Sequence, residues 1–202
     1  MGSKNLNYLV IGIIIVLVAF AGYIYFSSAD EESNFYQYSN GYSVFDVTIL
    51  SETETSIPIS FQGDNNLYSI ILRNDPKSLE DVPLIGNINQ RVANDEIVVI
   101  SIDPQQELKG KGVLAVYEMS KFLENVMFYN KTVVTTVATP FEDRIVVNCD
   151  HASDTQTVIL TILGDETQVY VNDYCVIVMG TDEDELIRAA DRLAYHLIGI
   201  MS

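Results

Sequence analysis

The sequence predicts an α/β fold: a mixed sheet with one βαβ crossover, a C-terminal β-meander and a packed C-terminal helix, preceded by one transmembrane helix. Three observations carry this expectation. Tyr8–Phe26 (YLVIGIIIVLVAFAGYIYF) is a run of 19 residues without a charge. Ile97–Ile102 (IVVISI) is apolar on both faces, and is followed by apolar residues at helical spacing and then by the β-branched run Thr132–Ala138. The last third alternates short strand-like segments with turns, then leads into an amphipathic stretch beyond Asp182.

Taken in order, the anchor comes first. As a helix, Tyr8–Phe26 spans about 28 Å, close to the hydrocarbon thickness of a bilayer. Tyr8 stands at one end and Tyr23, Tyr25 and Phe26 at the other, where aromatic rings favour the headgroup level. A cleavable signal peptide, cut near Ser27-Ser28-Ala29, is the alternative, although its apolar region is usually shorter. Lys4 precedes the span and the first basic residue after it is Arg73. The basic bias therefore keeps the amino terminus in the cytoplasm and sends the rest outside. The expected organisation is a cytoplasmic segment 1–7, an anchor 8–26, a polar, Tyr-rich stalk 27–41 and an extracytoplasmic α/β domain 42–202.

Within that domain, Phe45, Val47 and Ile49 alternate with polar neighbours, as in a half-buried strand over Val44–Leu50. Ile57, Ile59 and Phe61 repeat the pattern, with Pro58 marking an edge strand. Gly63-Asp64-Asn65-Asn66 turns the chain into a third strand, Leu67–Arg73, and Asp75-Pro76 caps a short helix. Ile97–Ile102, a helix over Val113–Met127 and the strand Thr132–Ala138 form the parallel crossover. Ile145–Cys149, Val158–Leu163, Gln168–Val171 and Tyr174–Met179 read as the strands of the meander. Thr181 is the expected cap of the last helix, with Asp184 three residues on and acidic residues at the positive end of the dipole. Leu186, Ala190, Leu193 and Leu197 line its buried face, and Asp184 is spaced to pair with Arg188.

Charge narrows the partners. The net charge is −17, and all 28 acidic residues follow Ala29. Such a field repels nucleic acid and anionic headgroups, so a nucleic-acid partner is not expected. The membrane, through residues 8–26, and a protein at the cell surface are the expected partners.

The chemistry-bearing residues are few. Cys149 and Cys175 are the two cysteines. Both fall in predicted strands, facing inward, and outside the cytoplasm such a pair is expected to form a disulfide. Closing that loop contributes about 3–4 kcal/mol by chain entropy. His151 and His196 are the two histidines, too few for a zinc site, and His151, although near Cys149 in sequence, is not aimed back at it from a strand end. Gly110-Lys111-Gly112 before a helix has the composition of an anion cradle without the phosphate-loop spacing. Asp103 lies past the central strand, where open α/β sheets bind ligands. Asp182–Glu185 lack a calcium-loop pattern. Asn130-Lys131-Thr132 is a glycosylation sequon at an expected exposed turn, with Asn130 the acceptor. No catalytic, cofactor-binding or metal-ligating set is predicted.

Val176–Met201 (VIVMGTDEDELIRAADRLAYHLIGIM) and Leu72–Leu84 (LRNDPKSLEDVPL) resemble segments of membrane-anchored archaeal surface proteins with an extracellular α/β, S-layer-like domain. The resemblance implies a cell-surface role and no particular chemistry. The functional expectation is a surface interaction or assembly module. Its alternatives are an envelope enzyme of hydrolase type, with a site beside Asp103 or Thr181, and an accessory subunit of a membrane complex.

Overall fold

The computed structural model describes residues 34–60, 66–106 and 108–202. The predicted anchor, 8–26, and the first part of the predicted stalk lie outside them. Among the described residues no helix is long and apolar enough to cross a membrane.

Residues 35–202 form an α/β unit with two sheets and, among the described residues, three α-helices. The first sheet holds β1 (Phe35–Ser39), β2 (Val44–Ser51), β3 (Glu54–Ile59) and β4 (Tyr68–Leu72), all antiparallel in sequential order. Strand β1 thus lies inside the segment expected to be stalk. The alternation Tyr36/Tyr38 pairs against Val47/Phe45 and adds a strand to the sheet.

The second sheet holds β5 (Leu84–Ile85), β6 (Ile97–Ile102), β7 (Thr132–Val137), β8 (Thr157–Leu163), β9 (Gln168–Asn172) and β10 (Cys175–Gly180). Its order is β5-β9-β10-β8-β6-β7, with β9 antiparallel to β10 and the other neighbours parallel. The helices are α1 (Ile88–Asn94), α2 (Gly110–Glu124) and α3 (Glu183–Leu197). The β6–α2–β7 crossover joins two parallel neighbours, as the spacing predicts.

One apolar cluster runs through the molecule. It includes Val47, Ile57 and Ile70 of the first sheet, Met119, Phe122 and Leu123 of α2, Leu186 and Leu193 of α3, and Val98, Ile100 and Val176 of the second sheet. The helices are therefore sandwiched between the sheets. This explains why α3 is buried nearly all round, down to Asp191 and Arg192, instead of along one stripe. The opposite face of the second sheet, with Val99, Val158 and Ile177, packs under Val147, Cys149 and Ala152.

Several local expectations change. Strand β3 is flanked by β2 and β4 and is not an edge. Its pairing with β2 covers only Glu54–Ser56, so the missing N–H of Pro58 falls outside that ladder. The last strands are not a meander, because β10 inserts between β8 and β9. Burial accounts for this: Cys175–Val178 and Thr157–Ile159 are buried on consecutive residues and belong in the sheet centre, whereas β9 is half-covered.

Ile145–Cys149 is not a strand. Val146 makes a single parallel bridge to Val137, and Cys149–His151 is a 3-10 turn capped by Asn148. Ser101 Oγ donates to the Val147 carbonyl, and Cys149 meets Cys175 of β10, so the segment crosses the sheet face instead of extending its edge. The last helix is capped by Asp182, which accepts from the Glu185 N–H at 2.9 Å, and not by Thr181. Arg188 pairs with Glu185 and Asp81, while Asp184 pairs with Lys111.

Candidate binding groove

The most elaborate polar construction lies where the chain leaves the first sheet. Beyond β4, the corner Arg73-Asn74-Asp75 is held by α2, α3 and β1. Arg73 Nε donates to both oxygens of Glu118 on α2, at 2.9 and 3.2 Å. The backbone and side-chain N–H groups of Asn74 both donate to Asp191 Oδ2 on α3, at 2.9 and 2.8 Å. The Tyr195 hydroxyl, also on α3, donates to the Asn74 carbonyl at 2.9 Å. The Tyr36 hydroxyl of β1 donates to Asp75, whose carboxylate also accepts from the N–H groups of Lys77 and Ser78. This last arrangement is the Asp-capped turn the sequence predicts.

Asp191 is 2 % exposed. Burial pushes its carboxyl up to about 7, with Glu118 adding to the rise and the Asn74 donors opposing it. Burial likewise raises the Tyr195 and Tyr36 hydroxyls, the latter helped by Asp75. They are therefore hydrogen-bond donors at any ordinary pH.

The pinned corner sets β4 against α2. Between them is a cleft of about 340 Å³, with Ser69–Arg73 on the strand side and Tyr117, Glu118, Lys121, Phe122, Asn125 and Phe128 on the helix side. Ile70, Leu72 and Phe122 are its buried apolar members, while Ile71 and Tyr117 stand exposed at the rim. The Phe122 and Phe128 rings stack at 5.5 Å, and the Lys121 ammonium lies 5.4 Å from the Tyr117 ring centroid. Beyond Arg73 a second cleft of about 240 Å³ continues toward Lys111, Ile187 and Arg188. Among the described residues β4 has β3 as its one strand partner, which makes it an edge strand of the first sheet.

The residues singled out from the sequence fall elsewhere. Asp103 Oδ1 accepts from Thr139 Oγ1 at 2.9 Å and from the Gln105 N–H at 3.0 Å, closing a turn. Thr181 borders an open basin with Gln106, Lys109 and Leu163. There the first turn of α2 meets carboxylates of the chain itself: the Lys109 N–H donates to Glu183, and Lys111 bonds Asp184 at 2.7 and 2.8 Å. The positions at which Gly110-Lys111-Gly112 would take an anion are thus occupied from within the fold.

His151 Nδ1 lies 2.8 Å from Asn148 Oδ1 in the 3-10 turn, and His196 is half-buried on α3 with its Nδ1 unpartnered. Cys149 and Cys175 stand at disulfide distance, their Cα atoms 5.3 Å apart, tying that turn to β10. Asn130 lies exposed in the turn before β7. Among the described residues no three His, Cys, Asp or Glu side chains converge as a metal site.

The groove was not among the predicted sites. Its partners are 45 residues apart for Arg73 and Glu118, and 117 for Asn74 and Asp191. The one local signal was Asp191 and Tyr195, four apart on the last helix.

No protein family, curated protein or solved structure matches the chain.

Proposed function

We propose that this protein is a cell-surface interaction module, held on the membrane by Tyr8–Phe26, whose outer domain captures an extended segment of a partner protein. The observation that carries the reading is the β4 edge facing α2 across an apolar-floored cleft. Strand addition to such an edge draws affinity from main-chain hydrogen bonds and selectivity from the pockets beside it. Ile70, Leu72 and Phe122 offer an apolar floor, and Arg73, Glu118 and Lys121 a polar rim. The acidic surface suits a protein partner better than nucleic acid or an anionic bilayer.

Two experiments test the two halves of this reading. Protease added to intact cells is expected to remove the domain; protection until lysis reverses the orientation. Extended peptides selected on the full chain are expected to slow amide exchange over Ser69–Leu72, and to lose binding in the double variant Ile71→Asp, Tyr117→Ala. Both of those side chains are 56 % exposed, so the fold should tolerate the change. A footprint elsewhere, or hydrolytic turnover abolished by a folded cleft variant, would overturn the binding half.

A further inference from the structure

We infer that Asn130 carries an N-linked glycan whose work is to guard the open edge of β7. The second sheet has two edges, and the first sheet two more. Strand β5 is only two residues long. The outer side of β4 is the groove edge proposed above to take a partner's strand, and β1 is bordered by Asp75, Lys77 and Glu80. Strand β7 is different. Its six residues, TVVTTV, are β-branched, free of charge and free of proline, and Thr132, Val134 and Thr135 are exposed. An edge of that kind is a template for pairing with another chain, and natural sheets usually blunt it with charge, proline or cover.

The fold covers only part of it. Val146 bridges to Val137, and Asp143 and Arg144 flank the same end, so the chain's own loop shields the C-terminal half. Among the described residues nothing comparable covers the half that begins at Thr132. That half starts with the sequon. Asn130 is exposed, in the left-handed region at φ 50°, with its backbone N–H bonded to the Asn125 carbonyl. Among the described residues no hydrogen bond engages its side-chain amide or the Thr132 hydroxyl. The acceptor amide is thus presented on a turn, one residue from the open strand.

The reaction is a glycosyl transfer. The Asn130 Nδ2 forms a bond to the anomeric carbon of a sugar activated as its phosphate or pyrophosphate ester, the carbon–phosphate oxygen bond breaks, and the amide proton leaves with the released phosphate group. The inference rests on the domain lying outside the cytoplasm, where such a donor is used. Protease shaving of cells separates the two failures. An accessible domain with unmodified Asn130 sinks this inference alone, and an inaccessible domain sinks both.

The test is native mass spectrometry of the full chain released from detergent micelles, which reads glycan mass and subunit count together. The unaltered chain and Thr132→Ser are expected to carry a glycan and remain monomeric. Thr132→Val, and Asn130→Gly, which keeps the left-handed turn, are expected to lose the glycan and shift predominantly to dimers or larger species. Adding Val134→Lys to Asn130→Gly supplies a charge on the open strand and should return the chain to monomer. An unmodified natural chain, sequon-less variants that stay monomeric, or oligomers that persist with Lys at 134 would each overturn the inference.

Discussion

The buried carboxyl of Asp191 makes the stability of the domain depend on pH in an unusual direction. Folding holds this group at about 7 against an ordinary 3.8, so between those values the folded chain keeps a proton that the unfolded chain has released. Its contribution is therefore fully present below pH 3.8 and is lost as pH rises through 7. The whole loss is on the order of 4 kcal/mol, of which about 2.5 kcal/mol falls between pH 5 and pH 8. Asp191→Asn isolates it. Both Asn74 donors bond the same oxygen, Oδ2, so an amide oxygen there accepts both and the charge is gone. The variant should match the parent only below pH 3.8, exceed it by about 1.5 kcal/mol at pH 5 and by about 4 kcal/mol at pH 8, so the gap widens by about 2.5 kcal/mol over that range, roughly 1 M in the urea midpoint. His196 titrates in the same window with the opposite sign. Burial and then Arg192 hold it below 6.5, so its share of stability is gained as pH rises toward that value, equally in both proteins. Urea unfolding of parent and variant at pH 5, 6, 7 and 8 reads the difference. Parallel curves across that range would refute the account of Asp191.

Replacing Cys149 and Cys175 by Ser opens a loop of sequence separation 26 and should cost about 3.5 kcal/mol of unfolding free energy. Peptide mapping without reductant should recover the linked pair, and alkylation of both thiols in native protein would contradict it. Gly180→Ala should lower stability by about 3 kcal/mol in thermal unfolding, because its Cβ would lie 2.2 Å from the Leu186 backbone nitrogen, which cannot move away. A melting temperature within a degree of the parent would mean that β10 and α3 are not so closely joined. Asp75→Ala removes the cap of the 3-10 turn together with the partner of Tyr36, and should cost about 1–2 kcal/mol in denaturant unfolding.

What the sequence determined by itself was whatever depends on neighbours along the chain. Period-two alternation found β2, and continuous apolarity found the buried β6. Helical spacing found α2 and α3, and Asp75-Pro76 found its turn, because each of those signals is local burial or local capping. The pairing of Cys149 with Cys175 was legible as well, since two cysteines leave one possible partner. Tertiary structure decided the rest. Strand order is a competition for the sheet centre, which β10 wins over β9 because both of its faces are covered. The same sheet face draws 145–149 across it by the Ser101 and Cys175 contacts, although that segment has the alternation of a strand. The Glu183 and Asp184 contacts with α2, and the corner that opens the β4 groove, join residues from separate elements. No spacing rule encodes them, because the energy that selects them arises only when two sheets close over the helices and leave buried polar groups to find one another.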